Sequence, residues 1–218
     1  MPLTTRRQEI DHHTLKLIVG SISISMAVLT SYFADSAITS ISASYYEGGW
    51  SQSIFVGFLF AVAAFLLAYN GLSQSEMVLS KVASLSALGV AMFPCKCDDH
   101  PEVLPFVHGI SAAVMFMILA FFCLTFFQRA RRKGHTQAMA RAVIYAFCGG
   151  AIVLAILVIL TDNLMGGRLS SSVPRLTFYG EATGLIAFGI SWLTASRVLP
   201  LITHKTERIS LFGDQVPD

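Results

Sequence analysis

His108 and Glu181 are ionisable side chains in, or at the edge of, long apolar runs. A charge in such a place costs about 3 kcal/mol unless it is paired, protonated or hydrated. An imidazole and a carboxylate brought together form an acid–base pair, or a polar site for a lipid headgroup. The plainer alternative is a shallow hydrogen bond that ties two helix ends together. Tyr45, Tyr46, Asp162 and Arg175 complete the candidate polar cluster, with Arg175 or Arg168 as a counter-charge. Tyr45, Tyr46 and Trp50 also have the composition of an aromatic belt at headgroup level.

A second group of chemical residues is Cys95-Lys96-Cys97-Asp98-Asp99-His100. Thiolate, carboxylate and imidazole are all zinc ligands, and Asp98, Asp99, His100 and His108 make the candidate set. The spacing argues against it: Cys-x-Cys is not the wider zinc knuckle, and adjacent aspartates point apart on an extended chain. On an oxidising face the two thiols could close a small disulfide ring. The expectation is a solvated loop after the helix stop at Pro94, with no cofactor. Haem is a poor fit, because His12, His13, His100, His135 and His204 fall in loops or tails, not in facing mid-bilayer pairs. No lysine lies deep in a late apolar run to form a Schiff base.

Only a membrane-spanning frame positions these residues. Of 218 residues, 54% are hydrophobic and 13% charged, where soluble domains carry about a quarter charged. The mean hydropathy is +0.65. A formal charge of +2, with the basic residues set beside apolar runs, excludes nucleic acid as a partner. A bilayer core needs about 20 apolar residues in helical form. That length recurs near residues 15–33, 53–72, 77–93, 104–127, 142–161 and 176–199. The sequence therefore predicts an all-α polytopic membrane protein, a six-transmembrane-helix bundle in one domain over 1–204, followed by a polar cytoplasmic tail over 205–218.

Lysine and arginine set the orientation. With the N-terminus inside, twelve of the fifteen basic residues fall on the cytoplasmic side, and Lys96, Arg168 and Arg175 fall outside. Both termini are then cytoplasmic. The basic 128–141 segment reads as the longest inside loop, lying on anionic headgroups. The hydroxyls of the first run (Ser21, Ser23, Ser25, Thr30, Ser31) suit a buried helix. Gly180, Gly184, Ala187 and Ser191 form a stripe that lets helices approach closely. Cys123 and Cys148 read as small core residues. No internal repeat marks an inverted-repeat transporter.

Several segments follow one another in a familiar order. They are Ser42-Ala-Ser-Tyr-Tyr46, Phe55-Val-Gly-Phe58, Leu67-Ala-Tyr-Asn-Gly71, Ala87-Leu-Gly-Val-Ala-Met-Phe-Pro94, His108-Gly-Ile-Ser-Ala112, Glu181-Ala-Thr-Gly and Phe188-Gly-Ile-Ser-Trp192. In this order and spacing the chain resembles a group of bacterial six-helix membrane proteins similar to the DRAM/FRAG-like family. The resemblance implies six helices, an outward polar cluster with His108 and Glu181, and no established catalytic activity. A bacterial inner membrane is the expected location. The leading functional expectation is a non-enzymatic protein binding a lipid headgroup, or a membrane protein partner or second copy, through the outer cluster. The alternative is a zinc-dependent lipid hydrolase similar in outline to the alkaline ceramidase group, and a third is a small transporter using Glu181.

Overall fold

Charge-free runs of this length leave their backbone N–H and C=O groups without water in a bilayer, and a helix satisfies them internally. The computed structural model describes residues 12–97, 100–199 and 202–203. Its helices are α1 (His12–Tyr32), α2 (Ser44–Glu47), α3 (Gly49–Ala68), α4 (Gln74–Met92), α5 (Val107–Lys133), α6 (Thr136–Leu164), α7 (Arg168–Ser172) and α8 (Leu176–Ala195). No strand occurs among the described residues; the one isolated bridge pairs Cys97 with His100.

Five helices, α1, α3, α4, α5 and α6, are long and apolar enough to cross a membrane. The 20-residue α8 is not among them, since Glu181, Tyr179 and several small or hydroxyl residues dilute its apolar content. Its setting explains the composition. The long helices pack in chain order, and α8 closes the ring by lying between α6 and α1. Phe188 and Trp192 of α8 are sealed inside, with Tyr69, Phe122 and Phe126 around the indole. Outward positions are apolar instead: Phe147 is 76% exposed, Leu85 68% and Leu154 63%. A surface of that kind suits lipid, and lets the more polar helix face protein.

Close approach is built from glycine. A Cβ on Gly20 of α1 would stand 2.8 Å from the Gly189 carbonyl, and one on Gly189 would stand 2.7 Å from the Gly20 carbonyl. Backbone meets backbone there. Along the expected small-residue stripe, Gly184 receives the Phe116 ring of α5 and Gly180 receives Ile159 of α6. Of the five α1 hydroxyls expected to be buried, Ser23 and Thr30 are, bonded to carbonyls one turn back, while Ser25 and Ser31 are half-buried and Ser21 is exposed.

Helix ends differ from the sequence reading: α3 lies four residues earlier than 53–72, α8 ends four residues before 199, and the basic segment departs most. The 128–141 segment is helical nearly throughout: α5 runs to Lys133, α6 starts at Thr136, and only Gly134 and His135 connect them. Gly134 adopts φ 74°, the left-handed turn that ends a helix, and His135 Nδ1 accepts from the Ala138 N–H. The basic residues are therefore held on helix ends and not along a loose loop. The 205–218 tail, Arg6, Arg7, Lys205 and Arg208 lie outside the described residues.

Candidate functional site

Successive long helices run antiparallel, so the bundle has two ends. At the upper end α1, α4 and α6 finish and α3, α5 and α8 begin. Here the chain between α1 and α2 folds inward, and alternate hydroxyls, Ser40, Ser42 and Ser44, are all buried. Ser40 Oγ accepts from the Ala43 N–H at 2.9 Å and closes a local turn. That turn presents the Ile41 and Ser42 amides to the first turns of α8.

Glu181 takes them. Its Oε2 accepts from Ile41 N–H at 2.6 Å and Ser42 N–H at 3.2 Å, and its Oε1 accepts from Ser42 Oγ at 3.0 Å. His108, buried in the first turn of α5, places Nε2 3.0 Å from the same Ser42 Oγ and Nδ1 2.8 Å from the Phe93 carbonyl. His108 and Glu181 thus meet at one hydroxyl, Ser42 Oγ, with no direct bond between them. A carbonyl only accepts, so Nδ1 carries a proton. Three proton arrangements satisfy the rest. If Ser42 donates to Glu181, Nε2 must also donate and the ring is an imidazolium beside a carboxylate. If Ser42 donates to Nε2, the ring is neutral, and Glu181 either keeps its two amide donors as a carboxylate or, protonated on Oε1, donates to Ser42 Oγ. The last differs from the first only by a proton moved along the hydroxyl link.

Ser42 and Glu181 also form the polar wall of a small cavity whose other walls are apolar, among them Met26, Phe55, Met115 and Leu185. Its water-accessible volume is about 20 Å³, enough for one water.

The remaining expected residues have other duties. Tyr46 donates its hydroxyl to the Cys95 carbonyl at 2.9 Å, and its ring stacks on His100 with centroids 4.0 Å apart. Burial, then the neighbouring Tyr45 and Glu102, raise the Tyr46 hydroxyl above its ordinary pKa, which keeps it a donor. Tyr45 meets Tyr46 edge to face and packs on the core. Arg175 is not the counter-charge of Glu181. Its Nε donates to the Ile38 carbonyl at 2.8 Å, its Nη2 to Ser31 Oγ at 3.3 Å, and its guanidinium lies over Phe178. Asp162 is also separate, accepting from the Leu169 and Ser170 amides at 2.8 and 3.0 Å as a cap on α7. Both corrections have one cause: each side chain finds unmet backbone groups nearer than the cluster.

Cys95 and Cys97 form a disulfide, the small ring the sequence allowed, within a non-helical segment after Pro94 whose Lys96 and His100 are exposed. Cys95 is buried beneath Tyr46. Asp98 and Asp99 lie outside the described residues. Among the described residues no three His, Cys, Asp or Glu side chains converge as a metal site. His100 stacks on a ring, and both nitrogens of His108 are engaged.

Two features escaped the sequence reading. Ser42 is the hub of the upper network, and its signal was the alternation of serines at 40, 42 and 44 just before Tyr45. At the lower end Glu76, only 1% exposed, forms a two-pronged ion pair with Arg129 and accepts from the Leu72 N–H, the Ser73 hydroxyl and Tyr69. Ser73 Oγ in turn accepts from the Glu76 N–H. This is a variant of the capping box, legible as Ser73-Gln-Ser-Glu76, in which the carboxylate reaches back to the Leu72 N–H, one residue before the cap.

No protein-family model, curated protein or solved structure matches the chain.

Proposed function

We propose that the chain is an integral membrane protein of six spans, α8 included, that binds a lipid headgroup at its extracytoplasmic end through the Ser42–His108–Glu181 network. The supporting observation is a connected hydroxyl, imidazole and carboxylate set against the wall of an apolar cavity. Polar groups that fix orientation inside a mostly apolar recess are the usual makings of a small-molecule site. The cavity admits about one water as it stands, so a headgroup enters as Met26 and Met115, flexible side chains that repack readily, give way. The order of the motifs, in which the chain resembles the six-helix group similar to the DRAM/FRAG-like family, supports the same reading. The basic last turn of α5 supports a cytoplasmic position for the other end of the bundle.

Photoactivatable phospholipid, incorporated into proteoliposomes of the full chain, tests the reading. The expected crosslinks map to peptides carrying Ser42 or Glu181 and drop in a Glu181→Gln variant that retains its thermal transition. Crosslinks spread evenly over the outer helix faces, and indifferent to that substitution, would end the proposal.

A second reading is acyl transfer with Ser42 as nucleophile. It is favoured by the 3.0 Å approach of His108 Nε2 to Ser42 Oγ, with Nδ1 oriented by a backbone carbonyl. Neutral His108 would accept the Ser42 proton. The Ile41 and Ser42 amides, which now hold Glu181, are the groups that would hold an oxyanion once that carboxylate moved aside. A fluorophosphonate probe should then label Ser42, and label it faster in a Glu181→Ala variant. Absence of labelling in both proteins removes this reading.

A further inference from the structure

The Cys95–Cys97 disulfide lies beside the turn that carries Ser42, and neither reading of the Ser42–His108–Glu181 network uses it. Its ring closes over one residue, Lys96. A disulfide stabilises chiefly by restricting the unfolded chain, and the restriction grows with the length of chain enclosed. One that encloses a single residue is a weak staple. The two sulfurs are also unequally placed. Cys95 is buried, whereas Cys97 is half-buried and follows the exposed Lys96. An incoming thiolate therefore meets Cys97 first, and the neighbouring lysine charge favours a thiolate there.

The ring touches the inner turn from two sides. Disulfide sulfur carries no hydrogen, so Ser40 Oγ is the donor in its 3.5 Å contact with Cys97 Sγ. The same oxygen accepts from the Ala43 N–H and closes the turn whose Ile41 and Ser42 amides hold Glu181. On the other side the Cys95 carbonyl accepts from Tyr46, and the Phe93 carbonyl, two residues earlier, orients His108. Tyr46 stacks on His100, whose N–H returns to the Cys97 carbonyl at 3.0 Å. Reduction lets the two sulfurs separate, and the Ser40 hydroxyl then loses a fixed acceptor.

We propose that Cys95–Cys97 is a redox-active disulfide, reduced by a thiol on its own side of the membrane, and that its state sets how firmly the inner turn holds Ser42 against Glu181. A reductant thiolate attacks Cys97 Sγ. The S–S bond breaks, and its electron pair leaves on Cys95 Sγ, which takes a proton. A second reductant thiolate attacks the reductant sulfur of the mixed disulfide and releases Cys97, which takes the second proton. Two electrons and two protons pass to the protein, and the reductant departs as its own disulfide. None of this rests on the headgroup reading, since thiol exchange and backbone protection need no lipid to be measured.

The test uses the full chain in neutral detergent, with reduced glutathione as the thiol and a phosphine as the reference reductant. Freed cysteines are alkylated and mapped by mass spectrometry, and amide hydrogen exchange is followed over residues 40–44. Structural disulfides resist glutathione, whereas this one should open with it. The reduced protein should then exchange the Ile41, Ser42 and Ala43 amides about fivefold faster, the worth of one hydrogen bond. Glutathione disulfide should cap Cys97 in a Cys95→Ser variant about tenfold faster than it caps Cys95 in a Cys97→Ser variant, because only Cys97 is presented. The first two readouts come from the parent protein, so a misfolded variant does not shield the proposal. A ring opened by the phosphine but untouched by glutathione overturns it. So does reduction that leaves the amide exchange unchanged, or faster capping at Cys95.

Discussion

Glu181 and Ser42 set the terms at the scale of single residues. The carboxylate accepts from two amides and a hydroxyl, and hydrogen bonds to a charged group contribute about 1.5–3 kcal/mol each. Glu181→Gln keeps an oxygen for the two amides and turns its N–H₂ toward Ser42 Oγ, which can accept it, so that variant stays folded. Glu181→Ala leaves both amides without an acceptor and should cost more than Ser42→Ala, which deletes only the shared hydroxyl. We expect losses of about 3 and about 1 kcal/mol for the two alanine variants, read from chemical unfolding in mixed micelles. A Glu181→Ala protein as stable as the parent would mean the carboxylate does not hold the inner turn. Arg175 makes a related case. Its backbone sits at φ 65°, and the side chain repays that strain by bonding Ile38 and Ser31. Arg175→Gly relieves the strain and loses the bonds, whereas Arg175→Ala loses the bonds and keeps the strain. The alanine variant should therefore melt at the lower temperature, and a glycine variant melting above the parent would mean the side-chain contacts are immaterial.

Helices depend on different features. The α1–α8 contact rests on carbonyls facing glycines at Gly20 and Gly189, where an added Cβ would approach an oxygen within 2.8 and 2.7 Å. Backbone cannot swing aside as a flexible side chain can. Gly189→Ala should thus push the two helices apart and destabilise by about 1–3 kcal/mol, the range for overpacking. Gly57, with open space around its Cβ position, supplies the control: Gly57→Ala should leave stability unchanged or slightly raised. Similar transition temperatures for Gly189→Ala and Gly57→Ala would refute the close-contact account. The α4 start depends on its cap, and Ser73→Ala should cost about 1 kcal/mol by losing the acceptor for the Glu76 N–H.

The whole molecule has two chemically different ends. One carries the Cys95–Cys97 disulfide and the Glu181 network, the other the Glu76–Arg129 pair and a cavity lined by lysine and arginine. Disulfides persist on oxidising faces, and lysine and arginine collect on the cytoplasmic one. Periplasmic reporters fused after His100 should be active, and the same reporters fused at Gly134 inactive. Activity at Gly134 would invert the topology, and with it the sidedness of the Ser42 network and the disulfide.

Long runs of apolar residues, interrupted by turn-forming and charged residues, specify helices in lipid with little help from tertiary context, so the helical architecture was legible in the sequence alone. So was the small-residue stripe of α8, because only small side chains permit such contacts. His108 and Glu181 also stood out, as ionisable groups set in apolar runs. What they touch did not. Ser42 becomes their link only when the segment after α1 turns inward, and the Phe93 carbonyl that orients His108 carries no side-chain signal. Arg175 and Asp162 looked like members of the cluster by composition, yet nearby backbone groups claimed both. Lys16, Arg129, Lys133, Arg141 and Arg197 read as separate topology markers, and only the packing of helix ends gathers them around one cavity. Local pattern decides which segments leave water. Which polar groups then satisfy one another depends on angstrom-scale proximity between segments distant in the chain.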